Sequence, residues 1–271
     1  MKTPDLPVKR RILITGAAGR IGSLAVMHLA KQFDLILTDC RPLPKDRGIP
    51  FILCNLTDIE TLRICCNGVD IVLHLGAVSD PAATWDDLLP ANIIGARNLF
   101  QAACEAGCQR VIYASSVMTV DAYPPDISVG AAMPAHPSTL YGVSKAWGET
   151  LGRYYAEQKG ISVIALRLGW VTARGDRRLT PGYHALSSAL TEDDLLRLLS
   201  AALNAPADLK FAVFNGVSDN QWKRLDIEDT RQTLGYAPQE DAFALARRNY
   251  PAIFRQWTGG IRRVLRKIFY R

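Results

Sequence analysis

Short apolar runs alternate with amphipathic segments along most of the chain. Apolar runs of five to seven residues bounded by turn residues are typical of strands buried in a parallel sheet, and the longer periodic segments are typical of helices. The pattern predicts strands at residues 11–15, 34–39, 49–54, 69–75, 110–114, 162–168 and 210–215. It predicts helices after the first strand and at residues 58–67, 86–106, 141–158, 191–204 and 227–234. This alternation indicates an α/β fold with a doubly wound parallel sheet of the Rossmann type.

The first predicted strand runs directly into three glycines, Gly16, Gly19 and Gly22. Glycines between a strand and a helix permit a tight turn and a close approach of the backbone to a pyrophosphate, which the helix N-terminus attracts. Asp39 ends the second strand, where a carboxylate binds an adenosine ribose and repels a 2′-phosphate. We therefore predict an NAD site; because Arg41 could meet a 2′-phosphate, NADP stays open as an alternative.

Tyr141 and Lys145 are four residues apart and lie on one face of a predicted helix. A nearby cation favours phenolate and lowers the pKa of a tyrosine, so the two residues form a candidate proton-transfer pair. The same spacing also occurs on ordinary amphipathic helices with a half-buried Tyr and a solvated Lys, and the nucleotide site upstream favours the first interpretation. Ser115 and Ser116 end the fifth strand, either as donors to a substrate oxygen or as a turn cap.

These motifs occur together and in order: Gly16-x-x-Gly19-x-x-Gly22, Asp39, His74-Leu75-Gly76-Ala77, Asn92, Ser115-Ser116 and Tyr141-x-x-x-Lys145. The set resembles the extended short-chain dehydrogenases/reductases, the NAD-dependent epimerase/dehydratase family, from about residue 10 to about residue 240. Within that family it is most similar to the uronate dehydrogenases. The resemblance implies an NAD-dependent oxidoreductase that takes hydride from a secondary or hemiacetal hydroxyl of a sugar or sugar-acid-like substrate. It also implies a homodimer formed through the helices at 86–106 and 141–158.

The resemblance further implies the residues of the site. Ser116, Tyr141 and Lys145 would be catalytic, with Ser115 closer to the cofactor and Lys145 on the nicotinamide ribose. The expected cofactor-binding residues are Gly16, Ala18, Gly19, Arg20, Ile21, Gly22, Asp39, Asn55, Leu56, Leu75, Gly76, Ala77, Asn92, Ser115, Tyr141 and Lys145. The expected substrate-binding residues are Ser79, Ser116, Val117, Met118, Trp170 and His184.

Four of these substrate positions depart from the uronate dehydrogenases. Val117 and Met118 stand where that group has Asn and His, Trp170 replaces a Ser, and His184 falls near a carboxylate-binding Arg. A hexuronate would leave polar groups unpaired there, at ~1–3 kcal/mol for each. We therefore expect a less polar or differently decorated substrate.

Three arginines offer an alternative grip on a substrate carboxylate. They follow the sixth strand, as Arg174, Arg177 and Arg178, and the other interpretation of them is a solvated basic loop. The family's dehydratases carry an acidic residue where Val117 and Met118 stand, which argues against water elimination. Two alternatives to a dehydrogenase remain: a nucleotide-sugar epimerase and a non-catalytic dinucleotide-binding protein.

Length and composition are those of an ordinary globular protein: 271 residues, 48% hydrophobic and 21% charged. We expect a Rossmann domain over residues 1–171, a small substrate-binding part over 172–258, and a separate tail over 259–271. The sequence shows no signal peptide and no apolar run long enough to span a bilayer, so a cytoplasmic protein is expected. Cys104 and Cys108 share a helix face without a matching second pair of ligands, so reduced thiols are expected and no metal site is predicted.

The net charge of +6 belongs almost entirely to the C-terminal tail. Its basic residues Arg262, Arg263, Arg266, Lys267 and Arg271 carry +5, with no acidic residue among 259–271. Apolar residues at helical spacing make the tail a short basic amphipathic helix. Such a helix suits an anionic membrane surface, a partner subunit or the protein's own fold. Nucleic-acid binding is not expected, because no basic stripe with aromatic residues occurs elsewhere.

Overall fold

The computed structural model describes residues 9–43, 48–180, 182 and 184–249, with the side chain of His184 outside that description. The predicted basic tail at 259–271 lies outside the described residues. Seven parallel strands form the main sheet in the order β3-β2-β1-β4-β5-β6-β9. They are β1 (Arg11–Thr15), β2 (Asp34–Asp39), β3 (Phe51–Leu53), β4 (Ile71–His74), β5 (Arg110–Ser116), β6 (Ser162–Leu168) and β9 (Phe211–Gly216). The predicted α/β fold class is confirmed, because the strand order reverses beside β1 as in a doubly wound sheet.

Helices cover both faces of this sheet. They are α1 (Arg20–Leu29), α2 (Ile59–Cys66), α3 (Trp85–Leu88), α4 (Ala96–Glu105), α5 (Leu140–Lys159), α6 (Glu192–Leu203), α7 (Glu228–Leu234) and α8 (Ala242–Asn249). On one face, α1 and α6 bury apolar side chains such as Leu29 and Leu198 against the sheet. On the other face, α2, α4 and α5 bury Leu62, Phe100 and Tyr155. Because every central strand is covered on both sides, it is apolar throughout rather than alternating.

The helix predicted at 86–106 is not uniformly α-helical. A π-helical segment, Leu89–Gly95, separates α3 from α4. Pro90 has no N–H to donate, which weakens regular α-helical pairing at this point. Gly95 faces Leu56, where an added Cβ would lie 2.5 Å from the Leu56 Cβ. π-Helical turns are frequent at functional sites, and this one carries Asn92.

The segment after β6 contains more regular structure than its sequence predicts. No strand or helix is predicted between residues 168 and 191, but β7 (Trp170–Thr172) and β8 (Ala189–Thr191) pair as a small parallel sheet. Leu179, Leu186 and Ala189 form a small apolar cluster with Ala242 and Ala246 of α8, a helix that was not predicted. Three-residue strands are too short to show a period. β9 belongs to the main sheet although it lies within the expected substrate part, so the two parts share one sheet.

No described helix combines the length and the apolar character needed to cross a membrane.

Candidate active site

The glycine loop joins β1 to α1 and leaves room that any side chain would fill. Gly16 has φ of +69°, and an added Cβ there would lie 2.7 Å from the backbone nitrogen of Gly76. A Cβ on Gly22 would lie 2.1 Å from the Gly16 carbonyl oxygen, so α1 packs directly on the loop. Both contacts are with backbone atoms, which cannot rotate away. The loop therefore forms the narrow cradle with a helix N-terminus that fits a pyrophosphate.

A cavity of about 580 Å³ opens from this loop along the carboxyl edge of the sheet. That edge is where open α/β sheets bind ligands. Most of the predicted cofactor positions, and one predicted substrate position, line this cavity: Gly16, Gly19, Arg20, Ile21, Gly22, Asp39, Asn55, Leu56, Leu75, Gly76, Ala77 and Ser79.

Asp39 at the end of β2 is buried, and its carboxylate hydrogen-bonds the backbone of the glycine loop. One carboxylate oxygen accepts a hydrogen bond from the Ala18 N–H at 3.0 Å, and the other accepts from the Arg41 N–H at 3.0 Å. The Ala18 N–H, expected to face the cofactor, is therefore already bound by Asp39. A carboxylate accepts several hydrogen bonds, so Asp39 keeps capacity for ribose hydroxyls. The Arg41 Nε lies 3.6 Å from the same carboxylate.

Arg20 lines the cavity, but its guanidinium is directed to the segment after β6. It donates to the Val171 carbonyl at 3.0 Å and to Glu192 at 2.9 Å. Glu192 begins α6, so this contact ties the first turn of α1 to the C-terminal part of the chain.

Tyr141 stands in the first turn of α5, which Thr139 caps by accepting the Gly142 N–H at 3.1 Å. A Cβ on Gly142 would lie 2.2 Å from the Met118 carbonyl oxygen, so this turn packs tightly on the segment after Ser116. That packing places the Ser116 hydroxyl near enough to the Tyr141 phenol to affect its pKa. Burial raises the pKa of Tyr141 and the Ser116 hydroxyl opposes the rise. The sequence led us to expect a lowered pKa, but burial is the larger effect in the protein without ligand.

Lys145 follows one turn later and is 4% exposed. Its Nζ donates to the Ala114 carbonyl at 2.8 Å and lies 5.8 Å from the centre of the Tyr141 ring. The expected shared helix face is therefore present. Burial lowers the pKa of Lys145 to about 8.

Asn92 fixes the relation between the end of β4 and α5. Its Oδ1 accepts the Val78 N–H at 2.8 Å, and its Nδ2 donates to the Val78 carbonyl at 3.0 Å and to the Ser144 hydroxyl at 2.9 Å. The Ser144 hydroxyl in turn donates to the Tyr141 carbonyl at 2.7 Å. Asn92 was expected to bind cofactor, and that prediction stays untested; in the protein without ligand its amide links Val78 to Ser144 at the start of α5.

Ser115 also differs from its expected place. Its hydroxyl donates to Glu149 at 2.6 Å, and Arg167 binds both oxygens of Glu149 at 2.9 Å. Consecutive strand residues point to opposite faces, so Ser115 and Ser116 cannot both face one site. Our sequence reasoning missed Glu149 and Arg167. The signal was a charged residue within a buried apolar strand, 162–168, since a buried charge is almost always paired.

Thr15 and His74 join the glycine loop to β4. The Thr15 hydroxyl oxygen accepts the N–H groups of Leu75 at 3.2 Å and Gly76 at 3.1 Å. Its proton is then donated to His74 Nδ1, 2.7 Å away, which assigns the neutral tautomer with hydrogen on Nε2. Burial, with a smaller effect from Lys145, lowers the pKa of His74 to about 3. His74 therefore stays uncharged near the site.

The expected substrate residues are less closely grouped than the cofactor residues. Val117 and Met118 form a 3₁₀ turn directly after Ser116. Trp170 packs on the small cluster with α8, and the Arg178 guanidinium lies 4.5 Å over its ring. His184 begins a 3₁₀ helix, but its side chain lies outside the part of the structure that is described.

Two of the three candidate arginines after β6, Arg174 and Arg178, bind acidic side chains of the protein itself. Arg174 pairs with Asp193 at 2.8 Å and Glu240 at 2.6 Å. Arg178 donates to both oxygens of Asp176, at 3.1 and 2.7 Å, and these hydrogen bonds lower the pKa of Asp176 to about 2. An anionic substrate would have to compete with these carboxylates.

Comparison with known proteins agrees with this geometry. An NAD-dependent glucose-6-phosphate dehydrogenase of Haloferax volcanii is 35% identical, over 85% of this chain and 94% of its own length. An L-arabinose 1-dehydrogenase (NAD(P)(+)) of the same organism is 30% identical, over 86% of this chain and 97% of its own length. The structure of a uronate dehydrogenase mutant of Agrobacterium tumefaciens complexed with NAD superposes with a TM-score of 0.80 at 33% identity, covering 89% of both chains. Residues 12–199 match the family described as the NAD dependent epimerase/dehydratase family, and the chain belongs to that family.

Proposed function

We propose that the protein is an NAD-dependent dehydrogenase that oxidises a secondary or hemiacetal hydroxyl of a sugar or sugar-acid-like substrate. The observation that carries this proposal is the position of Tyr141 at the start of α5, with the buried Lys145 ammonium 5.8 Å from its ring centre and the Ser116 hydroxyl near enough to lower its pKa. This group lies at the carboxyl end of β5, and its three residues do not line the glycine-loop cavity. A hydroxyl that loses hydride must also lose its proton, and this arrangement offers a base with a neighbouring donor.

Each residue then has a distinct role. Tyr141 removes the proton of the substrate hydroxyl, and Ser116 holds that oxygen in line by hydrogen bonding. The Lys145 cation stabilises the phenolate form of Tyr141 against the upward effect of burial on its pKa. The glycine loop would hold the pyrophosphate, Asp39 the adenosine ribose and Lys145 the nicotinamide ribose. When bound, NAD⁺ supplies the hydride acceptor.

The substrate part of the proposal rests on the relatives and on the pocket. The relatives are named for glucose 6-phosphate, L-arabinose and uronates, which are all sugars that can present a hemiacetal hydroxyl. In this chain Val117 and Met118 give the segment after Ser116 an apolar character. Arg174 and Arg178 are already paired with carboxylates. These features favour a sugar without a free anionic group near Ser116.

We propose residues 172–258 as the substrate-binding part. They supply the ion pairs of Arg174 and Arg178 and the small apolar cluster against which Trp170 packs. We further propose that NAD is preferred over NADP, because Asp39 is buried at the ribose end of the cavity and Arg41 is drawn to it. All six cysteines are free thiols, which supports a reducing compartment such as the cytoplasm.

A homodimer through α5 is part of the same proposal. Leu140, Val143, Trp147 and Tyr154 are between 41% and 48% exposed, and they follow one another at three, four and seven residues along the helix. An exposed apolar stripe of this kind is typical of an interface. Light scattering of the purified protein should give the mass of a dimer, and Trp147→Glu should shift it toward the monomer. A monomeric wild type at micromolar concentration would contradict this part.

The test of the activity is reduced-cofactor formation by the purified protein. NAD⁺ and NADP⁺ are compared over glucose 6-phosphate, arabinose, galacturonate, glucuronate and the matching neutral hexoses. Tyr141→Phe should lower kcat at least ~100-fold, the usual lower bound for losing a positioned base. Tyr154→Phe on the exposed side of the same helix is the matched control and should retain full activity.

Two outcomes would contradict the proposal. NAD that stays bound through purification, together with conversion of a nucleotide sugar without net NADH, would favour an epimerase. Tight NAD⁺ binding without turnover of any tested sugar, unchanged by Tyr141→Phe, would favour a non-catalytic dinucleotide-binding protein.

A further inference from the structure

The Lys145 ammonium is held in an unusual way for a buried charge. Buried charges are normally paired with an opposite charge, but no ion pair to Lys145 is formed within residues 9–43, 48–180 and 184–249. Its hydrogen-bond partner is the Ala114 carbonyl at 2.8 Å. Two aromatic rings also lie close to it: the Nζ is 5.1 Å from the centre of the Tyr113 ring and 5.8 Å from that of Tyr141.

We propose that Tyr113 is a positioning residue for catalysis, whose ring face keeps Lys145 charged and in place beside Tyr141. A cation within about 6 Å of an aromatic centre is attracted by the negative face of the ring, and the attraction is largest in a desolvated site. The inference deepens the proposed function, because it rests on Lys145 acting as a cation there.

The surroundings of Tyr113 support this role. Its ring is 2% exposed and lies between β4 and α5, with the His74 ring centre 5.7 Å away. Burial raises the pKa of Tyr113 well above its ordinary value, so Tyr113 is neutral. Its attraction for Lys145 therefore comes from the ring face and not from a phenolate charge. Glu149, a carboxylate that acts on Tyr113 electrostatically, is bound by Arg167. His74 stays neutral and supplies no charge.

Helix α5 is shaped to admit this ring. Gly148 lies one turn after Lys145, and a Cβ there would lie 2.2 Å from the Tyr113 hydroxyl oxygen. Any larger residue at 148 would displace the ring from beneath the ammonium. The Tyr113 ring and Lys145 therefore occupy one site that the helix backbone keeps open for both.

The direction of the effect on titration follows from the charge. A less negative face on the ring at position 113 attracts the ammonium less strongly, so the pKa of Lys145 falls further below its value of about 8 in the folded protein. Loss of the Lys145 cation at lower pH then removes support for the Tyr141 phenolate. The alkaline limb of the kcat/KM profile should move to lower pH by roughly 0.5 to 1 unit.

The test uses analogues that keep the shape of the ring. Tyr113 is replaced by Phe, and then by phenylalanines with increasing fluorine substitution, which withdraw charge from the ring face. The Lys145 titration is followed by NMR of side-chain-labelled lysine in the cofactor-free protein, with its signal assigned by absence in Lys145→Met. The pH profile of kcat/KM is measured beside it, and Tyr113→Leu is included as the full loss of the ring.

We expect Tyr113→Phe to match the wild type and each added fluorine to lower the Lys145 titration midpoint. The same fluorinated residues at Phe211, whose ring lies 4.6 Å from Arg153 on the outer part of α5, should leave that midpoint unchanged. A Lys145 midpoint that is constant across the Tyr113 series would overturn the inference. If the midpoint shifts as expected while no sugar is oxidised, the inference on the ammonium stands and the proposed activity fails. If Tyr113→Leu does not fold, the fluorinated series decides alone.

Discussion

The two sides of the candidate site are built in different ways. The cofactor side, from β1 to β4, is formed mainly by backbone: the glycine loop, the N-terminus of α1 and the N–H groups held by Thr15 and Asp39. The substrate side, after β6, is formed by side chains locked to one another, such as Arg174 with Glu240 and Arg178 with Asp176. The cofactor side depends on glycines, which have no Cβ to fill the loop. The substrate side depends on the identity of its side chains.

This difference bears on how relatives named for different sugars can share a fold that binds a dinucleotide. A backbone cradle binds a pyrophosphate whatever residues surround it, provided that the glycines keep it open. A side-chain pocket changes with each substitution, as the apolar Val117 and Met118 beside Ser116 show. We therefore expect changes on the cofactor side to act on folding and cofactor affinity, and changes on the substrate side to act on the sugar.

The largest effect should come from adding one methyl group to the glycine loop. The Cβ of Gly22→Ala would lie 2.1 Å from the Gly16 carbonyl oxygen, so either α1 or the loop must shift. Alanine favours the helix by about 1 kcal/mol, but a clash with fixed backbone outweighs this gain. We expect a net loss of about 2 kcal/mol in the free energy of unfolding, within the range for overpacking, and at least tenfold weaker NAD⁺ binding.

Gly175→Ala on the substrate side is the matched control, because no atom lies within 4 Å of its added Cβ. It should leave both thermal unfolding and NAD⁺ affinity as in the wild type. Equal losses from the two substitutions would mean that the glycine loop is not the constrained region that the comparison assumes.

The contrast between a cofactor side built from backbone and a substrate side built from side chains also explains how much could be predicted from the sequence. The strands, the glycine loop and Asp39 were predictable because a buried parallel strand and a tight turn each restrict the residue types at fixed spacing. The small sheet of β7 and β8, and the α8 helix, were not predicted, since their stability comes from contacts such as that of Leu186 with Ala246, far apart in the chain.

Within the site, several residues could be identified from the sequence, but their contacts could not. For Ser115 and Asn92 the sequence did not reveal that Ser115 donates to Glu149 and that Asn92 binds Val78 and Ser144. Hydrogen-bond partners depend on which elements pack together, and spacing along one element does not reveal them. The direction of the Tyr141 pKa was missed for a related reason, because burial is a property of the whole fold.

A smaller effect is expected from removing the charge at the ribose end of the cavity. Asp39→Asn keeps the size of the side chain but loses the charged acceptor that would bind the ribose hydroxyls. We expect NAD⁺ affinity to fall roughly tenfold, as for one lost charge-assisted hydrogen bond, and the preference over NADP⁺ to narrow. Calorimetric titration with both dinucleotides measures the two changes.

Asp34→Asn at the opposite end of β2 is the control for this substitution. Asp34 forms an exposed pair with Arg11 at 2.8 Å, far from the carboxyl edge. It should alter neither affinity. If Asp39→Asn also left the ratio of NAD⁺ to NADP⁺ affinity unchanged, Asp39 would serve only to hold the glycine loop through Ala18.

The smallest effect should come from the substrate side and should depend on pH. In the folded protein the Arg178 hydrogen bonds hold the pKa of Asp176 at about 2, below its value of about 4 in an unfolded chain. Its carboxylate therefore stabilises the fold above pH ~4, and this contribution disappears as the pH falls from ~4 toward 2. Because Arg178 is 53% exposed, solvent screens the pair, and Asp176→Asn should cost no more than about 1 kcal/mol at pH 7 and almost nothing near pH 2.

Chemical denaturation of wild type and Asp176→Asn across this pH range measures the difference, with the exposed Asp208→Asn as the control that should show none. The same variant separates the two sides of the site. Freed from Asp176, Arg178 should move from its place over Trp170 and change the KM for the sugar, while the Kd for NAD⁺ stays constant. A change in NAD⁺ affinity as large as that of Asp39→Asn would show that the side-chain pocket and the backbone cradle are coupled. Arg20 contacts both sides, because it follows the glycine loop and donates to Glu192 and the Val171 carbonyl. It would then be the first residue to substitute in a search for that coupling.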